Sequence, residues 1–282
     1  MAGTSMKDIK LRIKSVENTM QITKAMQLVA TSKLRRAKER MEHSRPYASI
    51  AAEAVYSASL NCDDQSIPYL RKQEGKKACY IIIAGERGLA GGYNNNLFKA
   101  QLAHTQGTEY CVLPIGRKAI DKYARLGKEL LSDSYAGVED LNVSQCRLIA
   151  NMLLEKFNQG VYGDLYLVYT GFQTMMSQEP RIRTLLPLVP DANARKEKPV
   201  STVYEPSAGE MLAAVMPDYL AGTLYSALCD SFLCEVASRR SAMDSATKNA
   251  GEMINDLKLR FNRARQGAIT QEITEIVAGA EQ

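Results

Sequence analysis

The sequence predicts an α/β protein combined with a long antiparallel α-helical coiled coil, formed by its N- and C-terminal helices around a central Rossmann-like α/β domain. Three observations carry that expectation. Two terminal stretches, 7–58 and 207–282, repeat apolar residues at spacings of three and four, the mark of a helical seam. Their charges oppose each other. Residues 1–45 hold eleven Lys and Arg against four Asp and Glu, and residues 210–282 hold seven against ten. Between them, β-rich apolar runs alternate with helical patterns, the order of an α/β unit.

The first stretch has no Gly after Gly3 and no Pro before Pro46. Thr4, Ser5 or Asp8 can cap its start. Its seam reads Ile9, Ile13, Val16, Met20, Thr23, then Ala30, Leu34, Ala37 and Met41, with Gln27 as an interruption. A second stripe, Ile22, Met26 and Val29, lies on another face, which a single partner helix would not cover. Lys33, Arg35, Arg36, Lys38 and Arg40 follow as a basic cluster, read as a solvated face or one met by an acidic protein ring. Pro46 can kink the helix, and the Ala-rich run 48–58 predicts that it resumes. Residues 61–76 are mostly polar, contain Pro68 and Gly75, and read as a linker.

In the middle, 78–84 is a continuous apolar run of the buried-strand type. A Gly-rich turn, 85–94, leads into a helix at 95–104. A strand at 110–114 is followed by a helix to about Arg125, and a further amphipathic helix spans 144–157. Strands at 164–170 and 181–188 are separated by a turn at Gln178, Glu179 and Pro180. Residues 189–199 read as an exposed loop. The second long stretch has its seam at Phe232, Val236, Met243, Ala246, Ala250, Met253 and Leu257, with Arg239 on it. The pattern continues through Phe261, Ala264 and Ala268 to Ile273 and Ile276. About seventy helical residues at 1.5 Å rise would make a rod of roughly 100 Å.

Several function classes find no support. Six cysteines include no C-x-x-C pair and only two histidines are present, so no zinc set forms and no cofactor or metal is expected. The cysteine usage fits a reducing compartment. No apolar run reaches the ~20 residues of a membrane span, so no direct membrane insertion is expected. The basic cluster lacks aromatic interleaving and a groove-reading motif, so no nucleic acid is expected. Loop 85–94 sits where phosphates bind in nucleotide proteins but has neither the Gly-Lys-Ser/Thr ending nor Gly-x-Gly-x-x-Gly. A nucleotide-binding α/β enzyme using this loop is the alternative function. No catalytic carboxylate pair or triad stands out, so no catalytic residue is named. Residues 263–276 are dense in hydrogen-bonding side chains yet keep an apolar stripe, as a helix end inserted into another protein would.

These residues resemble the gamma subunit family of F-type ATP synthases. Residues 22–33 (Ile-Thr-Lys-Ala-Met-Gln-Leu-Val-Ala-Thr-Ser-Lys) resemble its N-terminal signature. Residues 87–94 resemble its central-domain loop, with Ala90 where Cys is common and Glu86 where Asp is common. Residues 115–119 are similar to a Gly-x-Lys-Gly segment, departing at Ala119. Residues 264–280 resemble its most diagnostic motif. The resemblance implies a central-stalk rotor subunit, not itself an enzyme, of a proton-translocating ATP synthase, coupling ion flow through the membrane sector to conformational change at catalytic beta subunits. It implies four segments: a coiled-coil helix at 1–60, a linker at 61–76, a central α/β domain at 77–200, and a second coiled-coil helix at 201–282 pairing with 1–60. It implies as partners the alpha and beta subunits of the catalytic hexamer, the epsilon subunit and the c-subunit ring, at the cytoplasmic face of the cell membrane. Carried over by position, Lys24, Met26, Arg265, Gln266, Thr270, Gln271, Thr274 and Glu275 would meet the beta subunit. Tyr204 and Glu205 would meet the c-ring, with Ser207 standing where Asp is usual.

Overall fold

A computed structural model describes residues 6–62, 67–71, 73–105, 107–175, 177–188 and 203–280. The expected loop 189–199, the possible caps Thr4 and Ser5 and the core of the expected linker lie outside them. Two long helices bracket the chain: α1, Met6–Leu60, and α5, Ala208–Ala280. Each runs through an internal proline, Pro46 or Pro217. A proline inside a helix removes one backbone bond at a cost of ~3 kcal/mol. Here Met41, Ser44 and Ala48 beside the first and Met216 and Tyr219 beside the second are buried and hold the helices on course. The chain divides into two compact units, Met1–Ser32 with Arg239–Gln282, and Lys33–Ser238.

In the larger unit a four-stranded sheet has the order β2-β1-β3-β4. The strands are β1 Ala78–Ile83, β2 Tyr110–Ile115, β3 Asp164–Phe172 and β4 Gln178–Leu186. β1 pairs in parallel with β2 (Ala78 opposite Tyr110) and with β3 (Ala78 opposite Asp164), while β4 is antiparallel to β3. The period of two sorts side chains between faces. Cys79, Ile81 and Ile83 face α4 (Val143–Asn158) together with Val55 and Ala58 of α1 and Leu212, Met216 and Leu220 of α5. Tyr80 and Ile82 face α2 (Tyr93–Thr105) and α3 (Arg117–Arg125). Helix α4 buries Cys146, Ile149, Ala150, Leu153, Leu154 and Phe157, one continuous helical face, and starts with a capping box between Asn142 and Gln145.

Several details differ from the sequence reading. Gln178, Glu179 and Pro180 belong to β4, not to a turn before it. β4 is an edge strand, where proline's missing N–H faces no neighbour. The expected linker is tied down at Tyr69. Its ring stacks on Phe157 with centroids 6.3 Å apart, and its carbonyl accepts a 2.7 Å bond from Leu188 N–H. The α/β unit also extends beyond the expected 77–200, because residues 33–60 and 208–238 share its core. The basic cluster is not uniformly solvated. Lys33 pairs with Glu139 at 2.6 Å, and Arg40 donates to the carbonyls of Glu139 and Leu141 and to the Tyr225 hydroxyl.

In the smaller unit α1 and α5 run antiparallel. Thr23 and Thr247 hydroxyls meet at 2.8 Å, and Gln27 Nε2 donates to Asp244 Oδ1 at 2.9 Å, so four steps up one helix match three down the other. The interrupting Gln27 is therefore one half of a polar layer, which fixes register in a helix pair. Ile9 and Ala30 on α1 and Met243, Ala250, Ile254 and Leu257 on α5 form the buried seam. Met253, assigned to the seam from sequence, is 47% exposed, and its neighbour Ile254 takes the place. An 18-residue window within α5 has a mean hydropathy of 1.2, long and apolar enough to cross a membrane, but 83% of it is buried within the fold. That burial marks a core helix.

Candidate partner-binding surfaces

The antiparallel register decides which residues are free. Position 23 on α1 faces 247 on α5, so the start of α1 faces about residue 265. Beyond it α5 has no partner helix among the described residues. The last buried or half-buried positions are Leu257, Phe261, Ala264 and Ala268; all described side chains at 269–277 are exposed. Ile269 (48%), Ile273 (57%) and Ile276 (71%) share one face at spacings of four and three, with Val277 beside them. A lone helix of this kind gains no tertiary burial, and short isolated helices are marginal in water. Exposed isoleucines on such a segment point to a surface used by something outside the chain.

The polar groups of this segment are already engaged locally. Thr270 Oγ1 donates to the Gln266 carbonyl at 2.9 Å and Thr274 Oγ1 to the Thr270 carbonyl at 2.8 Å. Gln271 Nε2 donates to Glu275 Oε1 at 2.9 Å across one turn. Hydroxyls folded back on the helix present their methyls outward, so the segment is more apolar than its composition suggests. Arg265, Gln266, Thr270, Gln271, Thr274 and Glu275 are all exposed on α5, within about 15 Å of helix.

Lys24 and Met26 form a separate patch, roughly 30 Å away along the helix pair. Lys24 is exposed, whereas Met26 is half-buried rather than turned wholly outward. The outward apolar residues here are Ile22 (60%), Leu28 (65%) and Val29 (60%). The sequence reading missed Leu28, which adjoins the stripe without sharing its spacing. In the larger unit, Tyr204 is half-buried and its hydroxyl lies 3.0 Å from Ser57 Oγ, while Glu205 beside it is exposed. Ser207 Oγ accepts from Glu210 N–H at 3.2 Å, a helix cap that Asp would also make.

The crevice that could have served an enzyme is occupied. In sheets of this topology ligands sit outside the carboxyl ends of the parallel strands, where successive connections take opposite faces. That point lies between β1 and β3. Here it is filled by Ala90, Tyr93, Phe172 and Cys234, the last from α5. Ser231 on α5 accepts Thr170 N–H on Oγ and the Tyr93 hydroxyl on its carbonyl. A Cβ placed on Gly85 would lie 2.8 Å from the Glu235 carboxyl carbon, so the carboxylate packs directly on the Gly85 backbone and a side chain there would displace it. Burial pushes the Tyr93 hydroxyl and the Cys234 thiol well up, which keeps both un-ionised. Among the described residues no group of His, Cys, Asp or Glu is arranged to hold a metal ion.

Outward apolar patches on paired and unpaired helix in one unit, and in the other a sheet whose ligand crevice is closed by its own helix, define a helical subunit that works through protein contacts. The chain matches the ATP synthase family over residues 5–282. It is 43% identical over 277 residues to the ATP synthase gamma chain of Ruminococcus albus, covering 96% of each chain. It is 40% identical over 285 residues to that of Alkaliphilus metalliredigens, covering 99% of each. A chain of the Euglena gracilis mitochondrial ATP synthase (OSCP/F1/c-ring, rotational state 3) has the same fold, with a TM-score of 0.64 at 17% identity, covering 98% of this chain and 93% of that one. The chain belongs to the ATP synthase gamma chain family. As such it is a non-catalytic component of a membrane-associated ATP synthase complex.

Proposed function

We propose that this chain is the central-stalk rotor of a proton-translocating F-type ATP synthase. Its coiled coil turns inside a ring of alternating alpha and beta subunits and sets the catalytic beta sites in different conformations. A ligand-free shaft does this by presenting different faces to otherwise equivalent sites, and so biases their equilibria. The observation that carries the reading is the exposed Ile269–Ile273–Ile276 face on a stretch of α5 that outruns α1. A bearing surface needs apolar contact without ion pairs that would lock it. In this reading Lys24, Met26, Arg265, Gln266, Thr270, Gln271, Thr274 and Glu275 meet the beta subunits at two levels of the shaft. Tyr204 and Glu205 meet the c-subunit ring, Tyr204 as the anchored base and Glu205 as the exposed charge. The epsilon subunit joins the α/β unit, and the whole lies at the cytoplasmic face of the cell membrane.

The test is reconstitution. Purified chain mixed with alpha and beta subunits restores ATPase activity that neither mixture component shows alone. Failure to co-purify with them refutes the proposal.

A further inference from the structure

Of the six cysteines, only Cys79 and Cys111 stand on strands, and their Cα positions are direct partners in the parallel pairing of β1 with β2. Each is the second residue of its strand, and both side chains lie on the face covered by α4. Neighbouring strands run about 4.8 Å apart, inside the roughly 4.4–6.8 Å that separates the Cα atoms of a disulfide. Cys111 turns its sulfur toward β1, since its thiol donates to the Ala78 carbonyl at 3.7 Å. Both thiols are wholly buried, and neither belongs to the partner surfaces described above.

The two thiols differ in acidity. The Cys79 thiol bonds to the Cys111 sulfur, which draws the Cys111 pKa below the usual thiol value in spite of burial. The Lys77 ammonium adds to this, and Glu129, which pairs with Lys77, opposes it. Burial and the same sulfur contact hold Cys79 well above the usual value. One sulfur that ionises readily beside one that keeps its proton is the arrangement of a thiol pair oxidised in two steps. β2 is an edge strand, so the end that carries Cys111 opens more readily than the interior of the sheet. Such openings admit a molecule little larger than water and exclude a bulky thiol reagent.

We propose that Cys79 and Cys111 are a reversible oxidation site, closed to a disulfide by hydrogen peroxide. The Cys111 thiolate attacks one peroxide oxygen. The O–O bond breaks, leaving a Cys111 sulfenic acid and a hydroxide that takes up the proton Cys111 released. The Cys79 sulfur then attacks the sulfenic sulfur, and the S–S bond forms as the S–O bond breaks. The departing hydroxide leaves with the Cys79 proton as water. The two thiols lose two electrons, and peroxide is reduced to two waters. The new bond ties β1 to β2 and closes a covalent ring through the Gly-rich loop and α2. A dithiol reductant reopens it. In a reducing compartment the pair rests as two thiols, and its closure registers a rise in peroxide. The site goes beyond the rotor reading and does not depend on it.

The test uses the full chain carrying Cys62→Ser, which removes the half-exposed thiol. The reduced protein is exposed to hydrogen peroxide while folded, alkylated, and digested without reductant. Mass spectrometry finds the peptides of Cys79 and Cys111 joined and the intact mass lower by two hydrogens; dithiothreitol returns both to the starting state. Lys77→Met, at a part-exposed side chain, leaves the melting temperature unchanged and slows the joining roughly three-fold or more. In Cys79→Ala the link is lost and dimedone traps a sulfenic acid at Cys111. Should that buried substitution prevent folding, the Cys62→Ser chain decides alone. The proposal is overturned if both thiols stay reduced in the folded chain, or join only once urea has unfolded it. A link from either one to a different cysteine overturns it as well, as does Cys111 oxidised past the sulfenic acid with Cys79 still free.

Discussion

Replacing Ile269, Ile273 and Ile276 together by Ala isolates the bearing face of α5 from its stability. Each substitution removes three carbons, and burying one methylene contributes about 0.8 kcal/mol. Only the 48%, 57% and 71% of each residue still exposed in the free chain is available to a partner. Scaling by those fractions gives about 1–2 kcal/mol per site and on the order of 4 kcal/mol for the three, a loss of roughly a thousand-fold in affinity. Ala is a better helix former than Ile, so the segment does not melt. The free chain keeps its melting temperature and helical circular dichroism, since exposed positions contribute little. Affinity is read by titrating the chain into alpha and beta subunits and following recovered ATPase activity. A variant that titrates like the parent would refute the idea that this face is buried on assembly.

Three further expectations use the same structure. Met26→Lys, at a half-buried position beside exposed Ile22 and Val29, leaves assembly intact and lowers proton pumping per ATP hydrolysed; normal coupling in vesicles would remove Met26 from the coupling surface. Arg45→Ala strips the Asp230 carboxylate of its forked partner, with contacts of 2.9 and 3.2 Å, while that carboxylate stays 8% exposed. Arg45 is itself part-exposed, so the cost is about 2–3 kcal/mol, below that of a fully buried pair, and is read from urea unfolding. Burial already raises the Asp230 pKa above the ordinary carboxylate value, with Arg45 opposing it. Without Arg45 the pKa rises further. The protonated form then relieves the fold, so the deficit shrinks as pH falls through the folded pKa. Finally, a thiol reagent at neutral pH labels Cys62, which is half-exposed, and spares the other five, which are buried; burial, with Cys229 adding to it, pushes Cys146 up to about 12. Fast labelling of more than one thiol would contradict the packing.

Much of this fold is written in local pattern. The run that predicted β1 is continuously apolar because helices cover both faces of the sheet at this central strand, and that signal needs no tertiary knowledge. The seam of α1 emerges position by position for the same reason. Other features depend on geometry that pattern lacks. Met253 and Ile254 are both apolar, and only the pitch of α5 against α1 selects Ile254. Pro180 reads as a turn residue until β4 is known to be an edge. Lys33 and Arg40 resemble their solvated neighbours, but the loop at 139–141 that they hold is a hundred residues away. In the partner surfaces, the polar residues 265–275 were legible by resemblance. The helix on which they sit alone follows from the register set by Thr23 and Thr247.

A shaft must not slip in its mount. Helix α5 is gripped where folds of this kind grip their ligands, with Ser231 bonded to β3 and α2, Asp230 forked by Arg45, and the Glu235 carboxylate packed on Gly85. Residues 230–235 span more than one full turn, so these contacts reach around the helix instead of along one side. Twisting α5 about its own axis would break all of them together. The filled crevice thus serves as a spline, locking the rotation of the helix to that of the α/β unit.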